Sequence, residues 1–161
     1  MKQYGLIIPE ITTPEQGVEH FLGSKKLGTI VINPSGDWTQ YLPTKEPQNT
    51  RDIETQNCSG FGTLNAIETL ENFYQKGIYD HSDRAVGIAA GTKPYAGNDP
   101  HVVAETIRKQ TVVMDEAVLP FSDDIKTPDQ YYLPNPLPID ILAQGQPWAD
   151  EWDLKHEWVW T

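Results

Sequence analysis

Cys58 is the only cysteine among 161 residues, and its neighbours suit a nucleophile at the start of a helix. The stretch reads Thr55-Gln56-Asn57-Cys58-Ser59-Gly60-Phe61-Gly62-Thr63-Leu64-Asn65-Ala66-Ile67-Glu68-Thr69-Leu70. Before the cysteine the residues are polar and loop-like. After it Phe61, Leu64, Ile67, Leu70, Phe73 and Tyr74 recur at helical spacing, an apolar stripe that must be buried. Unpaired N–H groups at a helix N-terminus carry partial positive charge and stabilise a thiolate, the form of cysteine that attacks carbonyl carbon. The competing reading is a small buried hydrophobe, the usual state of a free cysteine.

A thiolate–imidazolium pair needs a base within hydrogen-bond reach of the sulfur. His156 is the one histidine late in the chain, with Glu157 beside it and Trp158 and Trp160 further on. It can serve as that base, or face a partner lobe or solvent. His101 follows Asp99-Pro100, so it lines a groove or lies exposed on a helix. His20 and His81 read as surface residues. Pairing His20 with Glu19, or His81 with Asp80 and Asp83, gives no diagnostic metal spacing, and one cysteine supplies no soft-ligand cluster. Walker, dinucleotide and glycine-rich phosphate motifs are absent, so neither metal nor cofactor is expected.

The elements that must position these groups can be read from caps and breakers. The main helix runs from about Cys58 to Lys76 and stops at Gly77. Ser82 is an N-cap for a second helix that ends at Gly91. Asp99-Pro100 pairs an N-cap with proline at the first helical position, and Val103, Ala104 and Ile107 point that third helix inward. Arg108 and Lys109 suit its C-terminal dipole. Thr111 to Met114 reads as extended, and Leu119-Pro120-Phe121 closes the segment. Leu6 to Ile11 and Leu27 to Ile32 are strand candidates, with a helix start at Thr13-Pro14-Glu15-Gln16 between them. Residues 122–147 read as loop, with prolines at 128, 134, 136, 138 and 147. The tail alternates His156, Trp158 and Trp160 against Glu157, Val159 and Thr161, a strand pattern that reaches the final residue.

Length and composition fit one domain or two small lobes. A single cysteine excludes an internal disulfide. A net charge of −11 disfavours nucleic acid and anionic membranes, which call for Lys/Arg stripes. No stretch reaches the length of a membrane span, and Met1 to Pro9 lacks a signal-peptide apolar run. Location is left open between intracellular and virion-associated.

Taken in order, these motifs resemble the papain-like cysteine peptidase family over about residues 30–125. Asp37-Trp38 is similar to the Asp-Trp near the start of the mature enzyme. Leu42-Pro43 and Gln48 resemble the proline and oxyanion-hole glutamine ahead of the nucleophile. Cys58 and its helix match the nucleophile and central helix of the left-hand lobe. Ser82-Asp83-Arg84 resembles the start of the next helix, Gly97-Asn98-Asp99-Pro100 the glycine pair and helix along the substrate cleft, and Leu119-Pro120-Phe121 the end of the lobe. Asn57-Cys58 and Ala89-Ala90-Gly91-Thr92 are similar to papain-like proteins of tailed phages. The chain differs from the family in having Ser59 after the nucleophile, Asn98 for one cleft glycine and no histidine motif after residue 125.

The resemblance implies a helix-rich α+β fold: an extended N-terminal arm (1–36), a papain-like helical lobe (37–125), and a proline-rich linker opening a β lobe (126–161). That β lobe is expected to be missing or partner-supplied, packing on Trp158 and Trp160. The implied function is the nucleophile-bearing part of a hydrolase acting on peptide or isopeptide bonds. Cys58 would attack, Gln48 would hold the oxyanion, His156 is the candidate base, and Gly97, Asn98 and His101 would contact substrate. By itself the chain is expected not to turn over peptides. The alternative is a catalytically inactive interaction or structural module, for example a phage virion or assembly component.

Overall fold

In the computed structural model, residues 21–24, 29–30, 33–45, 48–50 and 53–155 are described. Two short strands, β1 (Phe21–Ser24) and β2 (Thr29–Ile30), precede a 3-10 turn at Thr39–Tyr41 and a hairpin, β3 (Asn49–Thr50) with β4 (Ile53–Glu54). The long helix α1 (Cys58–Gln75) follows, then α2 (Asp83–Ala89) and α3 (Pro100–Lys109). Three short helices come next, α4 (Pro128–Tyr131), α5 (Ile139–Leu142) and α6 (Gln146–Glu151), ahead of the strand β5 (Trp152–Lys155). The fold is helix-rich α+β. Among the described residues no helix is long and apolar enough to cross a membrane.

Helix α1 is central because its apolar stripe feeds two cores. Phe61 joins Ala85, Ile88, Met114 and Tyr131 in one. Leu64 and Ile67 join Val86, Val103, Ile107 and Trp152 in the other. Burial at such positions is the main favourable term in folding. The caps form as the residue types require. The Ser82 side chain accepts from the Ala85 N–H, and Asp99 accepts from the His101 N–H with Pro100 opening the helix. The end of α1 differs slightly from expectation: the helix stops at Gln75, and Lys76 rather than Gly77 takes the left-handed conformation, at φ 55°.

The largest departure from the sequence reading lies in residues 122–147, expected as loop. Proline there does not break helices but opens them, at the start of α4 and of α6, where its missing N–H has no partner to lose. The segment is part of the main core: Tyr131, Tyr132 and Leu137 are buried in the first cluster. Arg84 fastens it to α2. Its guanidinium donates to the carbonyls of Tyr131, Pro120 and Leu133 and lies over the Tyr131 ring. Gly145 packs so closely that a Cβ there would sit 2.2 Å from the Thr111 carbonyl oxygen.

The strands form a small antiparallel sheet in the order β2-β1-β5, with Phe21 opposite Lys155 and Ser24 opposite Trp152. The strand entered by the C-terminal segment is therefore partnered by an N-terminal strand of the same chain. Of the expected strand over Leu27 to Ile32, Thr29–Ile30 is observed. The expectations for Leu6 to Ile11, for Thr13 to Gln16 and for the tail from His156 through Trp158 and Trp160 lie outside the described residues.

Gly145→Ala should lose about 1–3 kcal/mol or more of unfolding free energy, because backbone rather than a mobile side chain must yield. Gly62→Ala, in open space on the same protein, should instead gain up to about 1 kcal/mol from helix propensity. Urea denaturation checks both. Tolerance of alanine at Gly145 would contradict the close packing of this segment on residues 111–113.

Candidate functional site

The entry to α1 is shaped by three polar residues in a row. The Gln56 N–H donates to Glu54 Oε1 and the Asn57 N–H to Thr55 Oγ1, which turns the chain out of β4. Gln56 takes a left-handed backbone at φ 61°, an uncommon state for a residue with a side chain. Its Oε1 is buried without a hydrogen-bond partner.

Asn57 occupies the N-cap position, and asparagine there usually accepts from the first-turn N–H groups. Here its side chain makes no such bond. It turns inward, fully buried, and donates from Nδ2 to the Asp83 carbonyl at 2.8 Å and to the Tyr131 hydroxyl at 3.3 Å. The amide fits only because two glycines flank it. A Cβ at Gly60 would lie 2.5 Å from Asn57 Oδ1, and one at Gly87 2.8 Å from the same atom.

Cys58 is the first residue of α1 and half-buried. The first N–H groups of any helix have no intrahelical acceptor, and no cap from Asn57 covers them. On one side the Ser59 hydroxyl donates to the Asn98 carbonyl at 2.8 Å. Asn98 is held in turn by its Nδ2, which donates to the Ala90 carbonyl and to Thr92 Oγ1. Gly97 precedes it in a left-handed conformation at φ 82°. Gly97 and Asn98, expected along the substrate cleft, are thus brought beside the residue next to Cys58. On the other side the Tyr132 hydroxyl donates to the Thr55 carbonyl at 2.6 Å. Burial, then the neighbouring Cys58 and Glu54, push the Tyr132 phenol well above its ordinary pKa.

The remaining candidates fall out differently. Gln48, on the approach to β3, donates its amide to Glu54 Oε1 at 2.9 Å, so that amide is engaged. His101 is half-buried in the first turn of α3, three residues past Asn98. His156 and His20 lie outside the described residues. Asp37 and Trp38 belong to the other end of α1, where the Trp38 ring meets Phe73 edge-on at 5.2 Å.

His81 is corrected most sharply. Expected at the surface, it is buried, and its Nε2 lies 2.6 Å from Glu71 Oε2. Its N–H donates to Glu68 Oε1 at 2.7 Å. Its pairing is therefore with α1 carboxylates and not with Asp80 and Asp83. Glu71 stands thirteen residues along α1 from Cys58, about 20 Å by helix rise, too far for His81 to serve as base. Among the described residues no three His, Cys, Asp or Glu side chains gather as metal ligands. The sequence reading missed Asn57, the Tyr131–Tyr132 pair and the two buried glutamates. Only the glutamates carried a signal, since Glu68 and Glu71 continue the stripe through Leu64 at helical spacing.

No protein-family model matches this chain, and no curated protein or solved structure matches it either.

Ser59→Ala should leave the Asn98 carbonyl without its donor and cost about 1–3 kcal/mol, with faster exchange of the Gly97 amide, which donates to Lys93. Urea denaturation and hydrogen exchange read these effects. Unchanged stability and exchange would mean that Ser59 does not hold this segment against α1.

Proposed function

We propose that this chain carries the nucleophile of a papain-like cysteine hydrolase acting on peptide or isopeptide bonds. The observation that supports the reading is the half-exposed Cys58 at the uncapped start of the central helix, with Gly97-Asn98 tied alongside by Ser59. In the proposed reaction the Cys58 sulfur bonds to the carbonyl carbon and the C=O electron pair moves to oxygen. The first-turn N–H groups of α1, with a side-chain amide, would hold that oxyanion. Gln48 was the sequence candidate for that amide, but its amide is taken by Glu54; Gln56 stands closer in the chain, two residues before the sulfur. Collapse breaks the C–N bond, and the leaving amine takes a proton from an imidazolium. Water then hydrolyses the thioester and restores the thiol. His156 is the candidate base within the chain, and a partner lobe the alternative source. Gly97 and Asn98 would pair with the substrate backbone, with His101 on the adjoining helix turn.

The second reading is a catalytically inactive interaction or structural module, for example a component of a phage virion. It is favoured by the commitment of Gln48 to Glu54, which removes the sequence candidate for the oxyanion amide from service at the sulfur.

Alkylation of Cys58 by iodoacetamide separates the two. As nucleophile, Cys58 in the folded chain should react faster at neutral pH than the same thiol in urea. Slower reaction in the folded state would mark a structural cysteine and favour the module.

A further inference from the structure

We propose that Glu71, His81 and Trp148 form a proton-gated latch that fastens the C-terminal segment α6–β5 to helix α1. Glu71 is buried and uses both oxygens. Oε2 meets His81 Nε2 at 2.6 Å, and Oε1 accepts from the Trp148 indole N–H at 2.7 Å. The imidazole thus braces the carboxylate that holds the first turn of α6.

Helix α6 is held at the edge of the second core, where Trp148 packs half-buried. It is six residues long and contributes no buried residue. A second tie to α1 runs from Gln75 Nε2 to Glu151 Oε1 at 3.4 Å. Segments with few buried apolar contacts open locally at low free-energy cost. The first fully buried side chain after α6 begins is Trp152, edge-on against Tyr74 at 5.5 Å.

The groups facing the ring explain why protonation controls the latch. From α1 come Glu68 and Glu71. From the ring's own loop comes Tyr79, stacked on it at 6.2 Å, whose hydroxyl donates to Gln75. Glu151 approaches from α6 through Gln75. On the far side the backbone of His81 bridges to Asp115, and the Met114 carbonyl faces the ring. Burial disfavours the charged ring, but the hydrogen bond to Glu71, the charges of Glu71 and Glu68 and the Met114 carbonyl outweigh it and raise the pKa above the ordinary 6.5. The Nδ1 atom is buried and makes no close hydrogen bond of its own. A ring whose pKa is raised in the latched state stabilises that state in full below 6.5. The stabilisation is lost as pH rises through the raised value.

Hydrogen exchange of the full chain between pH 6 and pH 9, expressed as protection factors, tests the latch. The amides of residues 146–155 should lose protection several-fold as pH rises, while those of α1 and α2 keep theirs. His81→Gln, which keeps a donor toward Glu71 but does not titrate, should abolish that pH dependence. Trp148→Phe should lower protection of the same residues at pH 6 and shrink the pH effect, which guards against a His81 variant that fails to fold. Constant protection of residues 146–155 in the wild type would overturn the proposal. So would equal loss across the core, a pH dependence that survives in His81→Gln, or one of undiminished size in Trp148→Phe.

Discussion

The side-chain amide of Asn57 is the joint between α1, α2 and α4. It lies between Gly60 of α1 and Gly87 of α2, donates to the Asp83 carbonyl at the start of α2, and reaches the Tyr131 hydroxyl of α4. Three helices far apart in sequence therefore meet on one residue. Burial of an amide is costly unless its hydrogen bonds are made, and here the two Nδ2 bonds are made while Oδ1 is left without a partner. Such a site tolerates little displacement, which fixes the angle at which α1 leaves the β3–β4 hairpin.

The consequence for chemistry is local. An asparagine committed inward does not cap α1, so the helix presents its first N–H groups and Cys58 at the same place. The walls on either side rest on the same framework. Asn98 hangs on Ser59 and on the turn after α2, and Tyr132 follows directly on Tyr131 and closes on Thr55. The far half of α1 is built on different physics. There Glu68 and Glu71 are buried too, and pairing with His81 and Trp148 is added to the ring contacts of Phe73 and Tyr74.

Much of this was legible where a local rule has a single outcome. Ser82 and Asp99 announced their helices because a short oxygen-bearing side chain ahead of an apolar run satisfies first-turn N–H groups. Phe61, Leu64, Ile67, Val103 and Ile107 announced burial by spacing. Cys58 at the start of α1 followed from the same stripe. Helices α4, α5 and α6 were not legible, since one or two turns are too short for periodicity and their prolines read as breakers. His81 was misjudged, and its glutamates passed over, because charged residues are rarely fully buried unless paired, and the pairing spans loop and helix. The engagement of Gln48 by Glu54 depends on the hairpin between them, and the inward turn of Asn57 on two glycines, one of them thirty residues away. Such tertiary facts leave no mark on a local pattern.

The most direct test of the Asn57 framework is a double-mutant cycle by urea denaturation. In the native background Gly87→Ala should destabilise by about 1–3 kcal/mol, because its methyl group meets a pinned amide. In an Asn57→Ala background the obstacle is gone, and the same substitution should become neutral or stabilising. An equal cost of Gly87→Ala in both backgrounds would show that Asn57 does not hold the α1–α2 crossing, and would contradict the account of how Cys58 is positioned.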